Sequence, residues 1–180
     1  MPGEFYIEGK KEKIDISQIV AGLTGLEQKL KSLATPVDFW SIADDVIDLP
    51  AAATDVNLPD VVVSGLPTGI ALVKVVTILK VRAIENTNAG GSNAINGAQY
   101  IQVRKSSGSW MNAINLPDNL WTVAASTREA GDVLIANIDV KATMDGDGTY
   151  NFKFQNALVD LASLRLNDVI VGLRFYFSAS

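Results

Sequence analysis

The most regular pattern in the chain is a set of apolar residues near the N-terminus that recur every three or four positions. Alternating spacings of three and four place such residues on one side of a helix, at the a and d positions of a heptad repeat. The pattern therefore predicts a helix over residues 16–33 with one apolar seam, which we call the seam. Its members are Ile16, Ile19, Leu23, Leu26, Leu30 and Leu33.

The ends and the interior of this predicted helix limit its stability. Asp15 precedes the helix and Gln18 follows three residues later, which is an approximate capping box, and Pro36 ends the helix. Gly22 and Gly25 lie inside it, and each costs roughly 1 kcal/mol relative to alanine. We therefore expect the helix to persist only where its seam is packed, against copies of itself, against the chain's own β domain or against a different protein.

Downstream of the helix, the chain is predicted to contain a connector and then a β domain. Residues 37–67 have brief apolar stretches interrupted by prolines, which is typical of an extended connector with short strands. From residue 68 onward, apolar and polar positions alternate with period two. The predicted division is an N-terminal arm and oligomerisation helix over residues 1–36, the connector over 37–67 and a β-sandwich domain over 68–180.

Three segments of the β domain carry the clearest strand patterns. Residues 70–84 are apolar on both faces in the middle, which predicts a strand that is covered on both sides. Tyr150, Phe152 and Phe154 alternate with polar residues and predict an aromatic stripe facing the core, and residues 169–177 predict a last strand. Further strands are predicted over residues 99–105, 110–116, 120–125 and 133–143.

The number and spacing of these segments indicate the fold class. About seven or eight strands are joined by turns of Gly, Asn, Asp and Ser, with little helix between them. The chain is therefore expected to be mainly β, an antiparallel β-sandwich (jelly-roll-like) or barrel, with an N-terminal amphipathic or coiled-coil helix.

Composition removes several classes of function. The chain contains no histidine and no cysteine, so a Ser-His-Asp triad, a thiolate metal site and disulfides are impossible. The net charge of -5 argues against a nucleic-acid partner. No apolar stretch approaches the roughly 20 residues that span a bilayer, and residues 1–6 do not resemble a secretory signal. We expect a protein that is not an enzyme, has no cofactor and contacts neither nucleic acid nor membrane.

Two weaker patterns suggest ligand chemistry. Three tryptophans, together with Tyr100 and Tyr176, are candidates for a flat platform that stacks on sugar rings, although indoles also fill sandwich cores and interfaces. These tryptophans are Trp40, Trp110 and Trp121. Glycoside hydrolysis requires only two carboxylates, and the candidates for that role are Glu129, Asp132 and Asp139.

The segment 145–149, Asp-Gly-Asp-Gly-Thr, resembles part of a calcium loop because oxygen ligands recur at alternate residues. An EF-hand loop requires Gly at its sixth position and Glu at its twelfth, where this chain has Tyr150 and Asn156. A hairpin turn is therefore the favoured interpretation, and no metal ligand is assigned.

The overall organisation resembles small bacteriophage virion proteins, namely capsid decoration (cement) proteins and head- or tail-fibre proteins. The ending over residues 166–175, a turn into an alternating strand, is similar to the closing strand of jelly-roll virion modules. The resemblance implies a virion protein made in the host cytoplasm, with other virion proteins such as the major capsid protein as partners and no catalytic residues. Isoleucine at both Ile16 and Ile19 favours three or four associated helices over two, so a homotrimer is expected.

Overall fold

The computed structural model describes residues 20–26, 36–43, 46–97, 99–136, 138–142, 144–161 and 164–178. Residues 20–26 form a helix, α1, in the middle of the predicted one. The predicted capping box and the N-terminal arm lie outside the described residues. Beyond α1, the described residues form ten strands and no further helix.

The strands follow in this order: β1 (Val37–Ala43), β2 (Ile47–Leu49), β3 (Thr54–Val63), β4 (Ala71–Asn86), β5 (Gln99–Lys105), β6 (Met111–Leu116), β7 (Arg128–Ala130), β8 (Val133–Ile135), β9 (Gly148–Ala157) and β10 (Leu164–Ser178). They form two sheets in which the named strands pair antiparallel. The first sheet has the order β1-β10-β4-β7, with β2 also paired to β10 and β8 also paired to β4. The second has the order β3-β9-β5-β6. The expected mainly β, antiparallel class is therefore confirmed.

Residues 37–67 differ from the predicted connector, because they supply strands to both sheets. β1 pairs along its whole length with β10, and β3 pairs with β9. The prolines that suggested a connector are accommodated at irregular points: Pro59 lies where the β3–β9 register shifts between Leu58 and Val61. Proline cannot donate to a sheet ladder, but at the outer strand of a sheet and beside a bulge this costs little.

The two sheets share one hydrophobic core, and the predicted aromatic stripe lies in it. Tyr150, Phe152 and Phe154 on β9 are almost completely buried, as are Leu173 and Phe175 on β10. The hydroxyl of Tyr150, the polar tip of a buried ring, donates a hydrogen bond to the carbonyl of Gly146. Alternation along β9 and β10 therefore gave the correct inward faces of both strands.

Two predicted strands are shorter or absent. Residues 120–125 form turns with a single bridge between Asn93 and Val123, because Trp121 has a positive φ of 59° that is incompatible with an extended strand. Of the described residues among 133–143, namely 133–136 and 138–142, only β8 is a strand. After it, the Asp139 carboxylate accepts hydrogen bonds from the amides of Val75 and Lys141, so a side chain replaces the backbone ladder there.

Candidate binding surfaces

The described part of the seam lies on an exposed face of α1. Leu23 is 61% exposed and Leu26 is 54% exposed, and Val20 beside them is equally open. The other seam residues, Ile16, Ile19, Leu30 and Leu33, lie outside the described residues. Within the part of the chain that the structure describes, no helix has the length and apolar character needed to cross a bilayer.

A second apolar surface lies on the outer side of the first sheet, and the strand register explains how it is built. Residues directly opposite one another in an antiparallel sheet point to the same face. One row across β1, β10, β4 and β8 consists of Trp40, Gly172, Ile78 and Ile135. The next row consists of Ile42, Ile170, Lys80 and Val133. We call the apolar residues of these two rows the apolar face.

Most of the apolar face is open to solvent. Trp40, Ile42, Val133 and Ile135 are each exposed by between 45% and 58%, whereas Ile78 in the middle is buried. Gly172 permits this arrangement, because a Cβ atom there would lie 2.4 Å from Cε3 of Trp40. The prediction that the middle of strand 70–84 is covered on both faces thus holds for Val76 and Ile78, which are each 2% exposed, whereas Lys80 further along the same face of the strand is exposed.

Charged residues border this face. Arg174 lies two positions from Gly172 and contacts Asp38 with two hydrogen bonds of 2.7 Å. The hydrogen bonding to the Asp38 carboxylate is the largest cause that raises the pKa of Arg174. Because these two charges compensate each other, this border does not repel an apolar partner by an unpaired charge.

A third surface, the Trp110 cleft, lies on the outer face of the second sheet. The cation of Arg104 lies 4.4 Å from the ring centre of Trp110, and that of Lys153 lies 4.5 Å from it. The open cleft beside the ring has a volume of about 380 Å³. Its polar side chains come from β3, β5 and β9, and they are Asn57, Asp60, Arg104 and Asn151.

The two cations of the Trp110 cleft differ in their partners. Lys153 forms an ion pair with Asp55, whose carboxylate also accepts the amide of Asn156. The hydrogen bond from Lys153 is the largest cause that lowers the pKa of Asp55. Arg104 has no carboxylate partner among the described residues, and its Nε is buried without a hydrogen bond. Stacking on Trp110 is therefore the contact that holds its guanidinium.

The three tryptophans do not form one platform. Trp40 lies on the outer face of the first sheet and Trp110 on the outer face of the second, and the core separates these faces. Trp121 is 7% exposed, and its Nε1 donates to the carboxylate of Asp132 over 2.7 Å. The single platform expected from the sequence is thus corrected: one indole is core packing, one belongs to the apolar face and one to the cleft.

Asp139 is separated from the other two candidate glycosidase carboxylates. Asp139 contacts β4 at Val75, and Asp132 contacts it at Val81 through its carbonyl. Six residues of extended strand span roughly 20 Å, which is far beyond the roughly 5–9.5 Å that glycoside hydrolysis requires. Glu129 lies opposite Ile84, still further along β4 from Asp139.

The turn over residues 145–148 acts as a structural clamp. The two carboxylate oxygens of Asp147 accept the amides of Gly65 and Leu66, and Asp145 pairs with Lys105. Both carboxylates are thus used within the protein. The segment connects β8 of the first sheet to β9 of the second, and these strands do not pair, so it is a connection between the sheets rather than the predicted hairpin turn. No group of three or more acidic side chains in the described ranges is placed to hold a metal ion.

No protein-family model matches the chain, and no curated protein is significantly similar to it.

The hydrogen bonds that the Asp139 carboxylate accepts predict a pH dependence of the protein's stability. Burial alone would raise the pKa of Asp139, but the amides of Val75 and Lys141 outweigh it, so the pKa is lowered. Its contribution is therefore present above the unfolded value of about 3.9 and is lost as the pH falls toward the folded value. In denaturant titrations, we expect the loss of stability below about pH 4 to be smaller in Asp139→Asn than in the wild type. An identical acid dependence in both proteins would contradict this role.

Proposed function

We propose that this chain is a non-enzymatic structural protein of a virion, a capsid decoration (cement) or head- or tail-attached assembly protein. It oligomerises through the seam, as a homotrimer, and binds neighbouring virion subunits such as the major capsid protein. The observation that carries this proposal is the exposure of Leu23 and Leu26 in the isolated chain. A seam that is apolar yet uncovered is the expected state of one copy taken out of an oligomer.

The physical chemistry of α1 supports self-association. The described helix is short and contains Gly22 and Gly25, and isolated helices of this length are unstable in water. Burying the seam against two further copies removes apolar side chains from water, at about 25 cal/mol per Å². That gain offsets the cost of the glycines, so the helix and the oligomer form together.

The apolar face supplies a second contact surface for the assembly. Two rows across four strands, apolar except for Lys80, form a patch with the Asp38–Arg174 ion pair at its border. Contiguous apolar patches with polar rims are typical of protein–protein contacts. In the proposal, the seam joins copies of this chain, and the apolar face of the jelly-roll-like β-sandwich contacts a different virion subunit.

The self-association is tested by changing the seam and nothing else. In light scattering with size-exclusion chromatography at micromolar concentration, we expect the wild type to run as a trimer and Leu23→Asp plus Leu26→Asp to run as a monomer. Burying two aspartate charges per copy at a three-fold seam costs enough free energy to prevent assembly. The matched control is Ala21→Asp plus Thr24→Asp, because these residues lie on the same helix outside the seam and the added charge is equal.

Two results would contradict the proposal. A wild type that is monomeric at micromolar concentration removes self-association, and a trimer that survives the seam variant assigns the contact elsewhere. The virion assignment has its own test. Capsid or tail genes are expected beside the gene for this chain, and a neighbourhood of unrelated metabolic genes argues against it.

A further inference from the structure

Four polar side chains of the Trp110 cleft have no hydrogen-bond partner among the residues that the structure describes. They are the amides of Asn57 and Asn151, the carboxylate of Asp60 and the guanidinium of Arg104. Among the arginines of β4, β5 and β10, Arg104 differs in this respect, since Arg82, Arg165 and Arg174 each contact an aspartate. The cleft thus concentrates unused donors and acceptors in one place.

The geometry points to a binding site for a neutral oligosaccharide in the Trp110 cleft. Ligand clefts combine an apolar wall with a few polar groups that fix orientation, and their volumes are roughly 300–1,000 Å³. Here the indole of Trp110 is the apolar wall, and the volume of about 380 Å³ lies within that range. The proposal is independent of the assembly function, because the cleft and the apolar face lie on different sheets.

The mixture of polar groups matches hydroxyls better than any single charge. Each sugar hydroxyl both donates and accepts, so it needs acceptors and donors side by side. Asp60 accepts, Arg104 donates, and the amides of Asn57 and Asn151 do both. The C–H face of a sugar ring is apolar, and in this proposal it packs against the part of the Trp110 indole that the Arg104 and Lys153 cations do not cover. No other residue type is required for such a site.

The same charges disfavour the other ligands that stack on aromatic rings. Single-stranded nucleic acid binds to aromatic side chains in a positively charged groove. Here Asp60 lines the cleft and Asp55 already neutralises Lys153, and the whole chain carries a net charge of -5. The lining of the cleft carries one carboxylate, Asp60, and one guanidinium, Arg104, so its charges cancel and the neutral class of saccharides is the one that the cleft fits.

The accessible amides of the cleft are attached to strands that the hydrophobic core holds in place. Phe152 on β9 and Leu58 on β3 line the floor of the cleft and belong to the hydrophobic core. Asn57 and Asn151 precede these core residues in their strands, so their amides are carried by backbone that the core fixes. A preformed site of this kind loses little conformational entropy when it binds a ligand.

The test is an array of immobilised neutral and acidic oligosaccharides, followed by titration calorimetry with the best neutral ligand. We expect the wild type to bind neutral glycans, Trp110→Ala to weaken binding at least about tenfold and Asn57→Ala to weaken it roughly three- to tenfold. Asn115→Ala is the matched control for Asn57→Ala, because it removes an exposed asparagine from β6 of the same sheet outside the cleft, and we expect its affinity to equal that of the wild type.

Three results would overturn the inference. These are no binding by the wild type at millimolar ligand, binding to acidic glycans alone, and wild-type affinity in both Trp110→Ala and Asn57→Ala. Asn57 is exposed, so Asn57→Ala remains informative even if Trp110→Ala does not fold. A monomeric wild type that binds neutral glycans would contradict the assembly proposal and leave this one standing.

Discussion

Phe154→Ala is expected to lower the free energy of unfolding by about 3–5 kcal/mol. Phe154 is completely buried, and its strand neighbours on either side are Val56 on β3 and Ile101 on β5. Truncation leaves a cavity between β-strands that are held by long ladders on both sides, so the sheet cannot close around it. For a chain of this size, the midpoint of thermal unfolding should fall on the order of 10 °C.

Val62→Ala is the control for this substitution. It removes an apolar group from β3 of the same sheet, but Val62 is 65% exposed, so we expect a change within about 0.5 kcal/mol. Both variants are compared by urea titration at one protein concentration, because an oligomer's stability depends on concentration. A loss below about 1 kcal/mol for Phe154→Ala would place this residue outside the core and contradict the facing of the two sheets.

The parts of the fold that the sequence predicted are those with a strong one-sided pattern. Phe152 and Phe154 alternate with Asn151 and Lys153, and burial of one face is the physical cause of that alternation. The long strand β4 was also predicted closely, because its unbroken apolar centre reflects the core on one side and the apolar face on the other. The local sequence pattern predicts a strand well where successive residues of the strand face different environments.

The parts that were missed depend on contacts between distant residues. β1 pairs with β10 and β3 pairs with β9, at separations of roughly 85 to 138 positions along the chain, and no local pattern records that pairing. The predicted strand over residues 133–143 ends early because the Asp139 carboxylate takes the amide of Val75. In the sequence, an aspartate whose carboxylate accepts a backbone amide in place of a neighbouring strand looks the same as an outward-facing polar residue.

The candidate sites show the same limit. The sequence identified the tryptophans as the residues able to bind a ligand, but it could not separate Trp121, which packs in the core, from Trp110. The polar side chains of the cleft come from three strands, and only the register brings Asn57, Arg104 and Asn151 to one place. The signal available in the sequence was the set of outward-facing polar positions on β9, together with Trp110 in the loop between β5 and β6.

The two outer faces differ in a way that permits two roles. The first sheet exposes Trp40, Ile42 and Ile135, which favours burial against a protein, whereas the second exposes polar groups around Trp110. A subunit that is attached through one sheet keeps the other sheet turned away from the attachment. The proposed assembly contact and the proposed saccharide site therefore do not compete for the same surface.

Gly131→Ala is expected to destabilise the edge of the first sheet by about 2–4 kcal/mol. Gly131 joins β7 to β8, and a Cβ atom there would lie 2.0 Å from the carbonyl oxygen of Val81. Because the obstacle is backbone, relief requires the turn to move away from β4. That movement breaks the hydrogen bonds from the Gly131 amide to Arg82 and from the Val81 amide to Asp132.

The same displacement reaches the apolar face, because β8 carries Val133 and Ile135. Hydrogen exchange should therefore accelerate at the Val81 amide in Gly131→Ala, and the urea midpoint should fall. Gly146→Ala is the control, since the nearest atom to a Cβ there is the flexible Lys105 Nζ at 3.7 Å, and we expect its stability to change by less than about 0.5 kcal/mol. Equal stability of the two variants would mean that β7 and β8 are not held against β4, and the apolar face would then lose one of its four strands.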